Sequence, residues 1–171
     1  MYKFKTEPFE HQREALKDSW SAEFHALFME MGTGKSKVVI DNVGVLYEKD
    51  EIDAVLIVAP KGVYDNWVRG EIPLHLPDRI KRLVVRWTPS ASKKFKGVLE
   101  ALNKQPFDGV KFFVMNVEAF SSARGARAAG MFLYHNKNNM MVVDESTTIK
   151  NRKAQRTKNL MELTKYSKYR R

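Results

Sequence analysis

The sequence predicts an α/β protein whose mostly parallel sheet is covered by helices on both faces. Three observations carry this. Short apolar runs alternate with segments of helical period along all 171 residues, as in successive strand–helix units. Ala54-Val55-Leu56-Ile57-Val58-Ala59 is apolar at every position, as a strand buried on both faces must be. Gly32-Thr33-Gly34-Lys35-Ser36 joins an apolar run to a helical one, and strand, glycine turn and helix in that order present backbone N–H groups to an anion.

Residues 6–21 read as the first helix, capped by Thr6 or Glu7 with Pro8 in the first turn, and with Phe9, Leu16 and Trp20 on one face. Its Gln12 carries an amide that can donate to one adenine edge atom and accept from another; a merely exposed glutamine is the alternative. Residues 24–29 are expected to be the strand that enters the glycine turn. Residues 35–49 follow as a helix, with Val39, Val43 and Leu46 at helical spacing. After the strand at 54–59, residues 63–72 form a short helix carrying Asn66 and Trp67, and Pro73 and Pro77 bracket a loop. Strands at 83–87, 111–117 and 140–143 alternate with helices at 90–104 and 118–135.

The glycine turn has its own chemistry. Gly32 and Gly34 permit backbone conformations that side chains forbid. Lys35 would reach the β- and γ-phosphates of a nucleotide and the Ser36 hydroxyl would hold Mg²⁺. The strict motif wants a glycine where Met29 stands, so a plain glycine turn is the competing reading. Asp144-Glu145 ends the fifth strand, where open α/β sheets place their ligands. Asp144 can hold Mg²⁺ opposite Ser36, and Glu145 can polarise the water that attacks the γ-phosphate. A solvent-facing acidic pair is the alternative.

Composition narrows the class further. There is no cysteine, hence no disulfide or thiolate metal site, and His11, His25, His75 and His135 lack ligand spacing. No apolar run approaches a membrane span and the first residues lack an apolar signal core, so a soluble, cytoplasmic protein without a membrane partner is expected. The net charge is +10, and residues 146–171 hold nine basic residues against one acid, Glu162. Such a block suggests a polyanion partner; a solvated helix face is the alternative.

Taken together, the motifs resemble those of the superfamily-two helicases. Phe9-x-x-Gln12 resembles the adenine-reading Q motif, and residues 29–36, MEMGTGKS, resemble motif I of the Swi/Snf-type branch. Val58-Ala59-Pro60-Lys61 with Asn66-Trp67 is similar to motif Ia and the helix after it, and residues 114–120 to motif Ib. Residues 144–151, DESTTIKN, resemble motif II, with Ser146-Thr147 in place of its Ala-His. The order is right over nearly the whole chain, and the compact form is similar to helicases of bacteriophage genomes, whose site of action would be the bacterial host cytoplasm.

The resemblance implies the first RecA-like, ATP-binding domain of a DEAD/DEAH-like, Swi/Snf-type helicase or translocase, with the three-layer P-loop NTPase fold. It implies ATP and Mg²⁺ as cofactors and duplex or branched DNA as partner. Phe9, Gln12, Met31, Gly32, Thr33, Gly34, Lys35 and Ser36 would bind the nucleotide, Ser36 and Asp144 the metal, and Lys35, Asp144 and Glu145 would serve catalysis. Pro60, Lys61, Asn116 and Glu118 fall on motifs that face DNA in the family, and Lys150, Arg152 and Lys153 on the basic block. Residues 1–171 read as one such domain that ends before the motif III strand, so a second RecA-like domain would come from a longer polypeptide or another chain. A non-catalytic nucleotide- or DNA-binding module is the alternative. The motif III strand would lie between the strands at Phe24 and Met140, so either further residues supply it or the last residues fill the gap.

Overall fold

The computed structural model describes residues 2–30, 32–90, 92–145, 151 and 153–171. Five strands form one sheet in the order β2-β3-β1-β4-β5, with every pairing parallel. They are β1 (Ala54–Ala59), β2 (Arg82–Arg86), β3 (Val110–Asn116), β4 (Asn139–Val143) and β5 (Tyr169–Arg170). β1 is central and all six of its residues are buried, as its unbroken apolar run requires.

Side chains alternate between the two faces. Val55, Ile57 and Ala59 of β1 join Phe112 and Val114 of β3 on one face, beneath α2 (Lys35–Glu48), against which α1 (Glu10–Ser19) packs, and with Trp67 and Ile72. Leu56, Val58, Phe113 and Met115 point the other way, toward α5 (Lys93–Lys104), α6 (Ala123–His135) and α7 (Gln155–Leu163). Helices on both faces of a parallel sheet make the three-layer α/β fold that the sequence predicts. Among the described residues no helix is long and apolar enough to cross a membrane.

Four local departures have physical reasons. Residues 24–29 do not form a strand. Phe24 alone makes a parallel bridge, to Arg170, and Phe24 and Phe28 are 55% and 96% exposed. The run is apolar in composition, but its only partner is the two-residue β5.

β5 itself occupies the place between β4 and Phe24 that the expectation left open. Arg171 N–H donates to Met141 O (2.9 Å), Val143 N–H to Arg171 O (2.9 Å), Arg170 N–H to Glu23 O (2.7 Å) and His25 N–H to Arg170 O (3.0 Å). The last residues thus satisfy backbone groups on both sides, which orphaned would each cost about 1–3 kcal/mol.

The helix expected at 63–72 is longer and composite: α3 (Tyr64–Asn66), a π-helical turn over Trp67–Glu71, then α4 (Ile72–His75). Pro73 falls in the opening turn of α4, where a missing N–H is tolerated, so it does not begin a loop. Residues 118–135 divide into a 3₁₀ turn (Val117–Ser121) and α6, restarted by the Ser122 hydroxyl, which accepts from Gly125 N–H (3.2 Å). Pro8 likewise lies just outside α1, which starts at Glu10.

Candidate functional site

The glycine turn sits at the N-terminus of α2. Gly32 and Gly34 have φ of +78° and +80°, the left-handed region that favours glycine. Gly34 is the residue before the helix, so the free N–H groups and positive dipole end of α2 open onto the turn. Lys35 Nζ folds back over the turn and donates to Met29 O (3.0 Å) and Glu30 O (2.9 Å). Thr33 Oγ1 donates to Glu30 O (2.7 Å). Ser36 is half-buried in the first turn of α2.

α1 is tied to this turn by Gln12. Its Oε1 accepts from Phe9 N–H (3.0 Å) and its Nε2 donates to Thr33 O (2.9 Å). His11 Nε2 lies 3.0 Å from the same carbonyl. A Cβ on Gly34 would come within 2.3 Å of Gln12 Nε2, so the glycine makes room for the amide as well as for the backbone bend. Phe9 is 70% exposed, its ring stacked beside His11.

Beside the turn lies a cavity of about 310 Å³. Thr6, Phe9, His11, Gln12, Gly32, Thr33 and Gly34 line it, together with Lys37 of α2 and His75 at the end of α4. Thr6 Oγ1 and His75 Nδ1 are 2.6 Å apart. Burial, and then the charge of Lys37, lower the His75 pKa. The distant partners Thr6, Lys37 and His75 had no sequence motif to reveal them.

Across the sheet edge, Asp144 follows β4 with its N–H donating to Val58 O (2.8 Å). Its Oδ2 accepts from the indole Nε1 of Trp67 (2.9 Å), a buried ring of the π-helical turn. Glu71, at the end of that turn, accepts from Asn66 Nδ2 (3.1 Å) and lies 3.6 Å from His75 Nε2. Burial raises the Glu71 pKa, the Asn66 bond lowers it, and the charge of Asp144 raises it further. A polar path thus runs from the cavity at Thr6, through His75 and Glu71, toward Asp144. Glu145 adopts a left-handed φ of +51°, turning the chain at the strand end. Trp67 stood in a motif by sequence, but its bond to a residue 77 positions away could not be read there.

The oxygen donors available, the Ser36 hydroxyl and the Asp144 carboxylate, suit a hard cation such as Mg²⁺. Among the described residues no group of three or more His, Cys, Asp or Glu is placed to cage a metal.

The residues expected on the nucleic-acid side gather at the carboxyl edge of the sheet. Pro60 O accepts from Val63 N–H (2.9 Å) and Tyr64 N–H (3.0 Å), starting the turn that exposes Lys61. Asn116 Nδ2 donates to Glu118 Oε2 (3.0 Å) beyond β3. Lys153 is exposed. Met31, Lys150 and Arg152 lie outside the described residues.

The basic C-terminal block divides in two. Lys165 pairs with Glu162 (2.7 Å) and Lys168 with Glu51 (2.7 Å). Arg170 lies over the Phe24 ring (3.4 Å), and Arg171 donates to Asn42 Oδ1 (2.8 Å) and Ser19 O (2.7 Å). Those four serve the fold. Lys153, Arg156 and Lys158 have no carboxylate partner among the described residues.

Comparison with known proteins agrees with the fold. The structure is similar to the Sulfolobus solfataricus SWI2/SNF2 ATPase core in complex with dsDNA, with a TM-score of 0.68 and 18% sequence identity. The likeness covers 99% of this chain and 32% of that one, so the chain spans about a third of the length of the structure it matches. No curated protein sequence matches the chain. The SNF2-related domain matches residues 11–170, nearly the full length. The chain belongs to the SNF2-related domain family.

Proposed function

We propose that this chain is the nucleotide-binding domain of a DNA-dependent ATPase or translocase that works with a second RecA-like domain. The observation that carries this is the Gly32–Gly34 turn at the N-terminus of α2, a helix that packs on the parallel sheet whose strand β4 ends at Asp144-Glu145. In this reading Lys35 leaves the carbonyls of Met29 and Glu30 for the β- and γ-phosphates. A bound phosphate is the stronger partner, because both members of the bond are charged. Gln12, Phe9, Thr33 and Met31 would border the base and sugar.

Ser36 and Asp144 would hold Mg²⁺, whose charge would offset that building up on the phosphates. Trp67 would fix the Asp144 carboxylate by holding Oδ2. Glu145 would orient the attacking water. DNA would run over the carboxyl edge at Lys61, Asn116 and Lys153, with Pro60 and Glu118 shaping that edge. Arginine fingers, worth about 10³–10⁵ in turnover in related phosphoryl-transfer sites, would come from the second domain.

Titration calorimetry with Mg-ATP tests the site. Lys35→Ala should lose measurable affinity, because the charge facing the phosphates is gone. Glu145→Gln should bind as the parent does, since a group that orients water is not a binding group. Unchanged binding by Lys35→Ala would refute the assignment of the phosphate loop.

A further inference from the structure

On the reading of this chain as nucleotide-binding, we propose that the Thr6 hydroxyl is a specificity-determining group for the base, oriented by His75 and Glu71 to accept a hydrogen bond from an exocyclic amine. None of these three residues belongs to a sequence motif that marks the site.

Most polar side chains around the cavity beside the glycine turn are already engaged. Gln12 is 4% exposed, with Oε1 accepting from Phe9 N–H and Nε2 donating to Thr33 O. Its amide keeps one proton and one lone pair for a base. Lys37 Nζ donates to Asp41 Oδ2 and to Thr6 O. Glu7 pairs with Arg13. Phe9 offers a ring face and no polar atom. Thr6 Oγ1 meets the His75 imidazole at 2.6 Å. A hydroxyl has one donor and two acceptor sites, so this one has capacity left for a ligand in the cavity that both residues line.

Thr6 is held where it stands. Its carbonyl accepts from Lys37 Nζ of α2 (2.8 Å). The preceding Lys5 donates to Pro73 O in α4 (2.9 Å) and pairs with Asp78. Arg79 Nη1 donates to Lys3 O (2.9 Å), and its guanidinium lies over the Tyr2 ring (5.4 Å). The segment from Tyr2 to Thr6 is thus fastened to α2, to α4 and to the residues after α4. A group on a fastened backbone gives up little freedom when it binds, which favours recognition.

The direction of the hydroxyl follows from its neighbours. Burial, and then the charge of Lys37, lower the His75 pKa from the ordinary 6.5, so the imidazole is neutral at pH 7 and carries one proton. Its partners decide which nitrogen holds that proton. Nε2 lies 3.6 Å from Glu71 Oε2, while Glu71 Oε1 accepts from Asn66 Nδ2 (3.1 Å). The carboxylate draws the proton to Nε2 and leaves Nδ1 an acceptor. Thr6 Oγ1 then donates its only proton to Nδ1, and lone pairs are what it offers the cavity.

An acceptor-only hydroxyl discriminates between bases. The amine at C6 of adenine can donate to it. The carbonyl at C6 of hypoxanthine or guanine cannot, and would set two acceptors against each other. A site built to bond an N–H rejects the analogue that lacks it, because its own polar group is left unpaired. The arrangement therefore favours 6-aminopurine over 6-oxopurine nucleotides, in addition to whatever Gln12 contributes.

The experiment is titration calorimetry of the full chain at pH 7 with Mg-ATP, Mg-ITP and inorganic tripolyphosphate. The bases of ATP and ITP differ only in the group at C6 and the proton on N1. The parent should prefer ATP. Thr6→Val keeps the shape and removes the hydroxyl, so it should lower the ATP-to-ITP affinity ratio by about 2- to 10-fold, the worth of one hydrogen bond. Its tripolyphosphate affinity should match the parent's, and Thr6→Ser should restore the parent ratio. Glu71→Gln should lower the ratio at least as far. Asn66 keeps the amide oxygen, the amide nitrogen donates to His75 Nε2, the imidazole proton moves to Nδ1, and the Thr6 hydroxyl turns its proton toward the cavity. ¹⁵N resonances of His75 should show the proton on Nε2 in the parent and on Nδ1 in Glu71→Gln. An ATP-to-ITP ratio that Thr6→Val leaves intact, or a parent with the His75 proton on Nδ1, overturns this assignment alone. A parent that binds neither ATP nor tripolyphosphate overturns the nucleotide-binding reading with it.

Discussion

The two faces of the sheet are built from different material. Beneath α5, α6 and α7 the interior is largely apolar, with Trp87, Phe113 and Phe132 meeting ring to ring; its buried polar side chains, Lys111, Asn136, Asn139 and Thr157, stand near the ends of β3, α6, β4 and α7. Beneath α1 and α2 the interior holds Gln12, Ser19, Lys37, Asp41 and Asn42, each at most 5% exposed. Lys37 Nζ donates to Asp41 Oδ2 (2.7 Å) and to Thr6 O (2.8 Å), and Asn42 Nδ2 donates to Trp20 O (3.2 Å). Buried polar groups cost free energy unless paired; most of these are paired, but Asp41 Oδ1 has no hydrogen-bond partner among the described residues. The bonds of this face also join segments far apart in sequence, at the turn where a nucleotide would sit. One face is a support and the other is an assembly of exchangeable contacts.

The largest effect belongs to the support. Phe132→Ala should destabilise the protein by about 3–5 kcal/mol, the range for emptying a buried ring site, against the roughly 5–15 kcal/mol that holds a domain together. Urea unfolding should show it, while the protein still folded binds Mg-ATP as the parent does. A normal unfolding midpoint with impaired nucleotide binding would reverse the roles of the two faces.

Gly34→Ala tests the exchangeable face. A side chain in the left-handed conformation costs about 1–2 kcal/mol, and the new Cβ, 2.3 Å from Gln12 Nε2, would push the amide off Thr33. A modest fall in thermal midpoint should accompany a large loss of Mg-ATP affinity. Equal and small effects on both would mean that the Gln12–Thr33 bond does not shape the site.

The same contrast decides what the sequence could show. The support was legible because burial alone specifies it. The apolar runs of β1, β3 and β4 follow from one local pattern, and so, on the opposite face, does the helical spacing of Val39, Val43 and Leu46. The glycine turn was legible for a related reason, since Gly32 and Gly34 meet a local backbone demand. The strand expected at residues 24–29 does not form because a strand needs a partner, and its apolar composition carries no information about the length of β5. Tyr169–Arg170 reads as part of a basic tail because two residues have no period. Trp67 to Asp144, and Thr6 to His75, are pairs 77 and 69 residues apart. Only folding brings such partners together, and no composition or spacing announces them.

His75 gives the smallest expected effect and the most specific. It faces Thr6 Oγ1 at 2.6 Å, Glu71 Oε2 at 3.6 Å and the charge of Lys37. Burial, and then Lys37, depress its pKa below the ordinary 6.5. In the unfolded chain the imidazole takes a proton as the pH falls through about 6.5; in the folded chain it stays neutral to lower pH. The unfolded state then binds more protons, so stability rises with pH in that window. This contribution is present above pH 6.5 and is lost as the pH falls toward the folded pKa. Glu71 has the opposite sign, because its raised pKa favours the fold at low pH and loses that favour as the pH rises. The two are separated by substitution. His75→Gln keeps a polar partner for Thr6 and cannot titrate, so its urea midpoint should fall less between about pH 7.5 and 5.5 than the parent's, while the Glu71 contribution remains in both. Parallel pH profiles for parent and variant would show that His75 is not held neutral, and that this end of the cavity is as open to water as the loop beside it.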